Sequence, residues 1–225
     1  LLIRLFLKSF NDKDYLINIS NRLGFYKEEV FDQVVWFHAV SLGEVISSEG
    51  LINNIIKENN IVLTVSTPTG FRQANKIFDE KVTVVYAPWD FYLCIKRFIN
   101  HFKPVALVIF ETEIWPSMIS LSSSKGLPII LSNARLSKES NDRYMRMNFF
   151  MKAIFDIGAN KGQNLNYFLD KSDIVIAFEA NPYLVEKIES DFKKFIDEKK
   201  LIIENVALTS DENVKDIDFY ISKVN

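Results

Sequence analysis

Val34-Val35-Trp36-Phe37-His38-Ala39-Val40-Ser41-Leu42-Gly43-Glu44 passes from an almost unbroken apolar run into a serine, a glycine and a carboxylate. An apolar run that does not alternate with polar residues suits a strand of a parallel sheet, covered on both faces. The Glu that follows stands where a helix begins, a position the helix dipole favours for an acid. Strand, loop and helix start in this order make one half of a βαβ unit. The pattern repeats outward. Strands are expected at 34–39, 61–66, 82–86, 105–110 and 127–131, and a second series at 153–157, 174–178 and 201–204. Helical patterns lie between them, for instance at 45–58 and 71–78. Strand–helix alternation of this kind predicts right-handed crossovers and a doubly wound parallel sheet of the α/β class.

The whole chain sets the bounds. Its 225 residues allow one large domain or two small ones, with 48% hydrophobic and 25% charged residues, ordinary for a folded protein with a core. A net charge of −2 excludes a global basic field for nucleic acid. One cysteine, Cys94, excludes an internal disulfide, and its apolar helical setting predicts a buried thiol. With His38 and His101 the only histidines, a Cys/His zinc site is not expected. Residues 1–7 are apolar but far short of a membrane span. They read either as the stub of a signal-anchor helix or as the first turns of an amphipathic one. A first residue other than Met suggests a longer reading frame.

In a doubly wound sheet, ligands sit beyond the carboxyl ends of the strands. The chemistry is therefore sought in loops 38–44, 66–70, 86–90, 110–116, 132–137, 156–162 and 178–182. Glu44 reads either as a helix-terminal cap or as a general base facing a cleft. Thr64-Val65-Ser66-Thr67-Pro68-Thr69-Gly70 offers hydroxyls and a glycine, as a capped turn or as the seat of a polar ligand. Ala87-Pro88-Trp89-Asp90 and Glu111-Thr112-Glu113-Ile114-Trp115-Pro116 place acids at two further strand ends. Asn133-Ala134-Arg135-Leu136-Ser137 adds an arginine suited to phosphate or carboxylate.

These motifs, in this order and spacing and with Arg22-Leu23-Gly24-Phe25 before them, resemble the N-terminal domain of bacterial Kdo (3-deoxy-manno-octulosonic acid) transferases over about residues 16–146. The resemblance implies the acceptor half of a two-domain GT-B glycosyltransferase that moves Kdo from CMP-Kdo to a lipid A precursor. It implies Glu44 as the base that takes the acceptor hydroxyl's proton, with inversion at the anomeric carbon and no metal. Around it, His38, Ser41, Gly43, Thr67, Thr69, Gly70, Glu111, Glu113 and Arg135 are expected to line the substrate cleft. By family the place of work is the cytoplasmic face of the bacterial inner membrane. The resemblance also implies a second, nucleotide-holding domain, where this chain continues differently.

Residues 154–163, Ile-Phe-Asp-Ile-Gly-Ala-Asn-Lys-Gly-Gln, carry a strand into a glycine-containing loop that opens a helix. This is not the Gly-x-Gly-x-x-Gly of dinucleotide sites. Glu179 stands at the end of the next strand, where an acid suits ribose hydroxyls. Asn181 and Pro182 read as an N-cap and first helical position. With Asn205-Val206-Ala207-Leu208, these residues resemble the opening of an FkbM-type, S-adenosylmethionine-dependent methyltransferase over about residues 153–222. That resemblance places Asp156, Gly158, Asn160 and Gly162 against the methionine end of the cofactor and Glu179 against its ribose. The expected organisation is a stub (1–25), an acceptor domain (26–148) and a partial Rossmann-like methyltransferase segment (149–225), joined near residues 145–155. Three readings follow: a Kdo transferase, an FkbM-like O-methyltransferase, or a non-catalytic fusion. The chain alone is expected to perform neither reaction at a useful rate.

Overall fold

The computed structural model describes residues 10, 12–111, 114–133 and 151–206. The chain divides into two compact units, residues 1–129 and 130–225. In the first, a short helix α1 (Ile19–Arg22) precedes β1 (Val34–His38), α2 (Leu42–Ser47), α3 (Glu49–Ile55) and β2 (Asn60–Val65). Then come α4 (Pro68–Phe78), β3 (Thr83–Tyr86), α5 (Tyr92–Phe102), β4 (Ala106–Phe110) and α6 (Pro116–Ser124).

The strands stand in the order β3-β2-β1-β4, all parallel, with Val35 level with Ile61 and Ala106 and His38 level with Thr64 and Ile109. The chain thus steps outward from β1 to β3 and returns on the other side of β1. Right-handed crossovers turn that reversal into helices on opposite faces. The helices group accordingly, α2 with α4 and α5 with α6. Cover on both sides explains why every residue of β1 is buried. The core is aromatic where α5 meets the sheet. Its buried stripe of Cys94, Ile95, Phe98, Ile99 and Phe102 follows the helical repeat, and Phe98 packs 4.2 Å from Trp36 between ring centroids. Cys94 is buried as the sequence predicts, and burial raises its thiol pKa.

One helix departs from expectation. The pattern at 45–58 forms two helices that start earlier and break at Ser48, whose Oγ donates to the Val45 carbonyl at 3.2 Å. A serine bonding back to the preceding turn, followed by Gly50, weakens helix continuity at that point.

The second unit carries β5 (Ile129–Ser132, beginning at the boundary), β6 (Met151–Ile157), α7 (Leu165–Lys171), β7 (Ser172–Phe178), α8 (Pro182–Asp191), α9 (Lys193–Asp197) and β8 (Leu201–Glu204). Its strands pair in chain order and in parallel. Asn181 caps α8 by accepting from Tyr183 N–H at 3.0 Å, and Pro182 is its first residue, as the sequence predicts. Residues 1–7 and most of the expected junction at 145–155 lie outside the described residues. Among the described residues, no helix is long and apolar enough to cross a membrane.

Candidate active site

In the first unit, backbone bonding continues past the strand ends. Ala39 N–H donates to Thr64 O (3.1 Å), Ser66 N–H to Val40 O (2.9 Å) and Ala87 N–H to Val65 O (2.8 Å). The loops that follow β1, β2 and β3 are therefore laced to one another. Ser41 caps α2, its Oγ accepting from Glu44 N–H at 3.4 Å. Glu44, only 6% exposed, turns back so that Oε2 accepts from Val40 N–H at 2.7 Å. This is close to a reciprocal capping box, displaced by one residue. It also fixes the carboxylate's direction. The cap seen in the sequence is real, and it holds in place the group that the second reading requires.

Gly70 brings the next loop against it. A Cβ there would lie 3.0 Å from Thr67 Oγ1, 3.3 Å from Ser41 C and 3.4 Å from Leu42 N. A side chain at 70 would push α4 away from the start of α2. Thr67 caps α4 through Gly70 N–H at 3.2 Å, and Thr69 Oγ1 donates to Thr67 Oγ1 at 3.3 Å. Gly43 leaves space beside Glu44, since a Cβ would meet only Ser41 Oγ, at 3.9 Å. Ser41, Gly43, Glu44, Thr67, Thr69 and Gly70 thus come together at two adjacent helix starts.

His38 behaves differently. It is wholly buried, with Nδ1 2.7 Å from Thr64 Oγ1 and its ring 4.6 Å edge-on from Trp115. Burial lowers its pKa to about 3, so the imidazole is neutral near pH 7. It supports the floor beneath the loops. Glu111 is half-buried just past β4 in a left-handed conformation, φ +60°. Such backbone in a residue with a side chain is uncommon outside constrained loops. Glu113 and Arg135 lie outside the described residues.

Two residues have parts that the sequence reading did not assign to them. Arg22 is buried, its guanidinium 4.4 Å from the Tyr86 ring centroid, and donates to Ser66 O at 3.1 Å while its own carbonyl accepts from Trp89 N–H at 2.8 Å. Among the described residues no ion pair includes it, and burial lowers its pKa. Asp90 accepts from Ser117 N–H (3.1 Å) and Met118 N–H (2.8 Å), so the β3–α5 loop caps α6. The only trace of either in the sequence is membership of a short motif. Their partners are distant in the chain.

The second unit has its own polar loop. Gly158 (φ +74°), Asn160 (φ +54°) and Gly162 (φ +71°) turn the chain between β6 and α7. Gly158 and Ala159 N–H both donate to Phe178 O, at 2.9 and 3.0 Å. Glu179, 7% exposed, accepts from Asn160 N–H with Oε2 (2.7 Å) and from Asn181 N–H with Oε1 (2.9 Å). It clamps two loops together. Asp156 is buried with Oδ2 unbonded. Burial, and then the nearby Glu179 charge, raises its pKa to about 7. A Cβ at Gly158 would meet nothing within 4 Å, whereas at Gly162 it would meet Leu165 and Phe192 at 3.1 Å. Gly158 thus faces open space, whereas Gly162 lies against packed side chains.

Comparison with known proteins gives a consistent picture. The family described as 3-deoxy-D-manno-octulosonic-acid transferase (kdotransferase) matches residues 18–158, reaching beyond residue 146 where the motif resemblance was expected to end. The 3-deoxy-D-manno-octulosonic acid transferase of Haemophilus influenzae is 29% identical over 203 residues, 82% of this chain and 48% of that protein. A bifunctional glycosyltransferase/methyltransferase of Fusobacterium nucleatum is 33% identical over 147 residues, 64% of this chain and 22% of that protein. A probable mitochondrial 3-deoxy-D-manno-octulosonic acid transferase of Arabidopsis thaliana is 37% identical over 114 residues, 49% of this chain and 26% of that protein. The chain spans about half the length, or less, of these relatives.

Proposed function

The chain belongs to the 3-deoxy-D-manno-octulosonic-acid transferase family, and from that premise we propose that its first unit is the acceptor half of a transferase moving Kdo from CMP-Kdo to a lipid A precursor, at the inner membrane surface. The observation that carries this reading is the Glu44 carboxylate, held by Val40 N–H at the carboxyl end of β1 beside Gly43 and the Thr67–Gly70 turn. In the proposed step the acceptor hydroxyl oxygen attacks the anomeric carbon as Glu44 takes its proton. The anomeric C–O bond breaks, and CMP leaves with the electron pair. A buried carboxylate with a fixed oxygen is suited to a base whose direction matters.

The test grafts residues 18–158 into the Haemophilus influenzae transferase in place of its matching part, so that the rest of that protein supplies the other half. Transfer is measured with Glu44 and with Glu44→Gln. The expected result is transfer by the first chimera and a loss of about 10²–10⁴-fold in kcat for the second, with KM little changed. Equal rates for the two would sink the assignment of Glu44.

A second reading concerns the second unit, and the bifunctional Fusobacterium nucleatum relative favours it. Here the loop after β6 would hold S-adenosylmethionine, as in FkbM-like methyltransferases. The residues fit such a ligand. Gly158 leaves its approach open, Asp156 Oδ2 is a buried acceptor without a partner, and each Glu179 oxygen keeps a lone pair for a ribose hydroxyl. Asp156 and Asn160 would face the amino-acid end, with Gly158 and Gly162 shaping the turn. When bound, the cofactor supplies an electrophilic methyl group. Its binding would raise the melting temperature of the chain as ligand concentration passes Kd. An unchanged melting temperature at millimolar S-adenosylmethionine counts against this reading alone.

A further inference from the structure

Helix α5 has a second face. Opposite its buried stripe, Tyr92 and Leu93 are 57% and 60% exposed, followed one turn later by exposed Lys96 and Arg97. Residues four apart on a helix are surface neighbours, so each large apolar side chain lies beside a cation. The Lys96 ammonium is 5.9 Å from the Tyr92 ring centroid. The turn before β1 adds to this face. Gly24, at φ +84°, passes so close to α5 that a Cβ would lie 2.5 Å from Cys94 O and 2.9 Å from Arg97 Cβ. Arg97 donates to Leu23 O at 3.1 Å, and its guanidinium sits 4.3 Å from the ring centroid of Phe25, itself 53% exposed. Phe91, also 53% exposed, extends the patch from the start of the helix.

Its charge is of one sign. Lys96, Arg97 and the capping Lys103 are unopposed by any acid within α5. Asp90 beside it is engaged with the α6 backbone, and Glu28 and Glu29 lie toward the far end, where Glu28 O meets His101. Contiguous exposed apolar side chains mark a docking surface. Interfaces between proteins are depleted in lysine. Apolar rings interleaved with long cationic stems instead suit the boundary of a bilayer, where the stems reach up to headgroups. We propose that this face of the first unit docks on an anionic lipid surface through Phe25, Phe91, Tyr92 and Leu93, with Lys96 and Arg97 at headgroup level.

The test uses the whole chain and vesicles that contain no sugar acceptor, so its outcome is independent of the transfer reading. Sedimentation is measured with phosphatidylcholine vesicles and with equal mixtures of phosphatidylcholine and phosphatidylglycerol. Binding is expected to favour the anionic vesicles by roughly fivefold for each cation engaged, and to weaken in high salt. Leu93→Ser is expected to lower the association constant about tenfold, and Lys96→Glu by roughly 25-fold on anionic vesicles. Ile46→Ser, an exposed apolar position on α2, should bind as the parent does. Undiminished binding by both α5 variants, equal loss with Ile46→Ser, no preference for anionic lipid, or no binding would each overturn the proposal. Self-association of the parent chain that Leu93→Ser abolishes would assign the face to a protein partner and overturn it as well.

Discussion

Asp156 holds its proton more tightly in the folded chain than unfolded, where an aspartate titrates near 3.9. Its folded pKa is about 7, set first by burial and then by Glu179. The stability gained from this group is complete below about pH 4 and lost as pH rises through about 7. Asp156→Asn should remove that slope and leave the second unit more stable near pH 8, by about 1–3 kcal/mol, in urea melts at the two ends of the range. An unchanged slope would show that another group sets it. Gly24→Ala should cost the first unit about 2–4 kcal/mol, because the new Cβ meets the Cys94 carbonyl at 2.5 Å in backbone that disfavours it. Gly126→Ala, at φ +74° but in open space, should cost only about 1–2 kcal/mol. At this scale the sequence was legible in type and position but not in partner. Glu44 could be placed at a helix start, yet only the folded loop shows Oε2 on Val40 N–H. Glu179 could be placed at a strand end, yet its two bonds need β6 and β7 side by side. Arg22 offered least, because Ser66, Tyr86 and Trp89 meet it only through tertiary structure.

Elements were the most legible scale. Buried parallel strands produce continuous apolar runs, so all eight appear within a few residues of where the pattern puts them. Helix boundaries were less so. The break at Ser48 rests on one hydroxyl, and the start of α6 depends on Asp90, which reaches it from another loop. Asp90→Ala removes the acceptor of two amide hydrogens and should destabilise the first unit by about 1–2 kcal/mol. Calorimetry would register it, and amide exchange at Ser117 and Met118 would localise it. Arg22→Met takes away the donor to Ser66 O while keeping much of the packing on Tyr86. Losing a charge-assisted bond worth about 1.5–3 kcal/mol should speed exchange in 66–70 and 87–90 at least tenfold, ahead of any change in β1 or β4. Uniform acceleration across the unit would instead mean that Arg22 supports the whole core.

For the molecule as a whole, alternation announced a parallel α/β architecture but not the strand order. That β1 lies between β2 and β4 follows from the direction of each crossover, which local sequence does not encode. Acid should act on the two units in opposite senses. The folded pKa of His38 is depressed to about 3 by burial, so its contribution is present above about pH 6.5 and is lost as pH falls toward 3. Between about pH 6.5 and pH 4, protection relative to the intrinsic exchange rate should therefore fall in β1 and β2 and rise in β6 and β7. Parallel changes in both would refute the pair of assignments. The lacing of loops beyond β1, β2 and β3 has a consequence for how this fold can be lengthened. An insertion after residue 66 or 87 must break a bond to a neighbouring loop, whereas the turns at 79–81 and 125–127 sit at the opposite ends of the strands. Epitope tags, spacers and natural length variation should accordingly be tolerated at those turns and excluded from the laced edge.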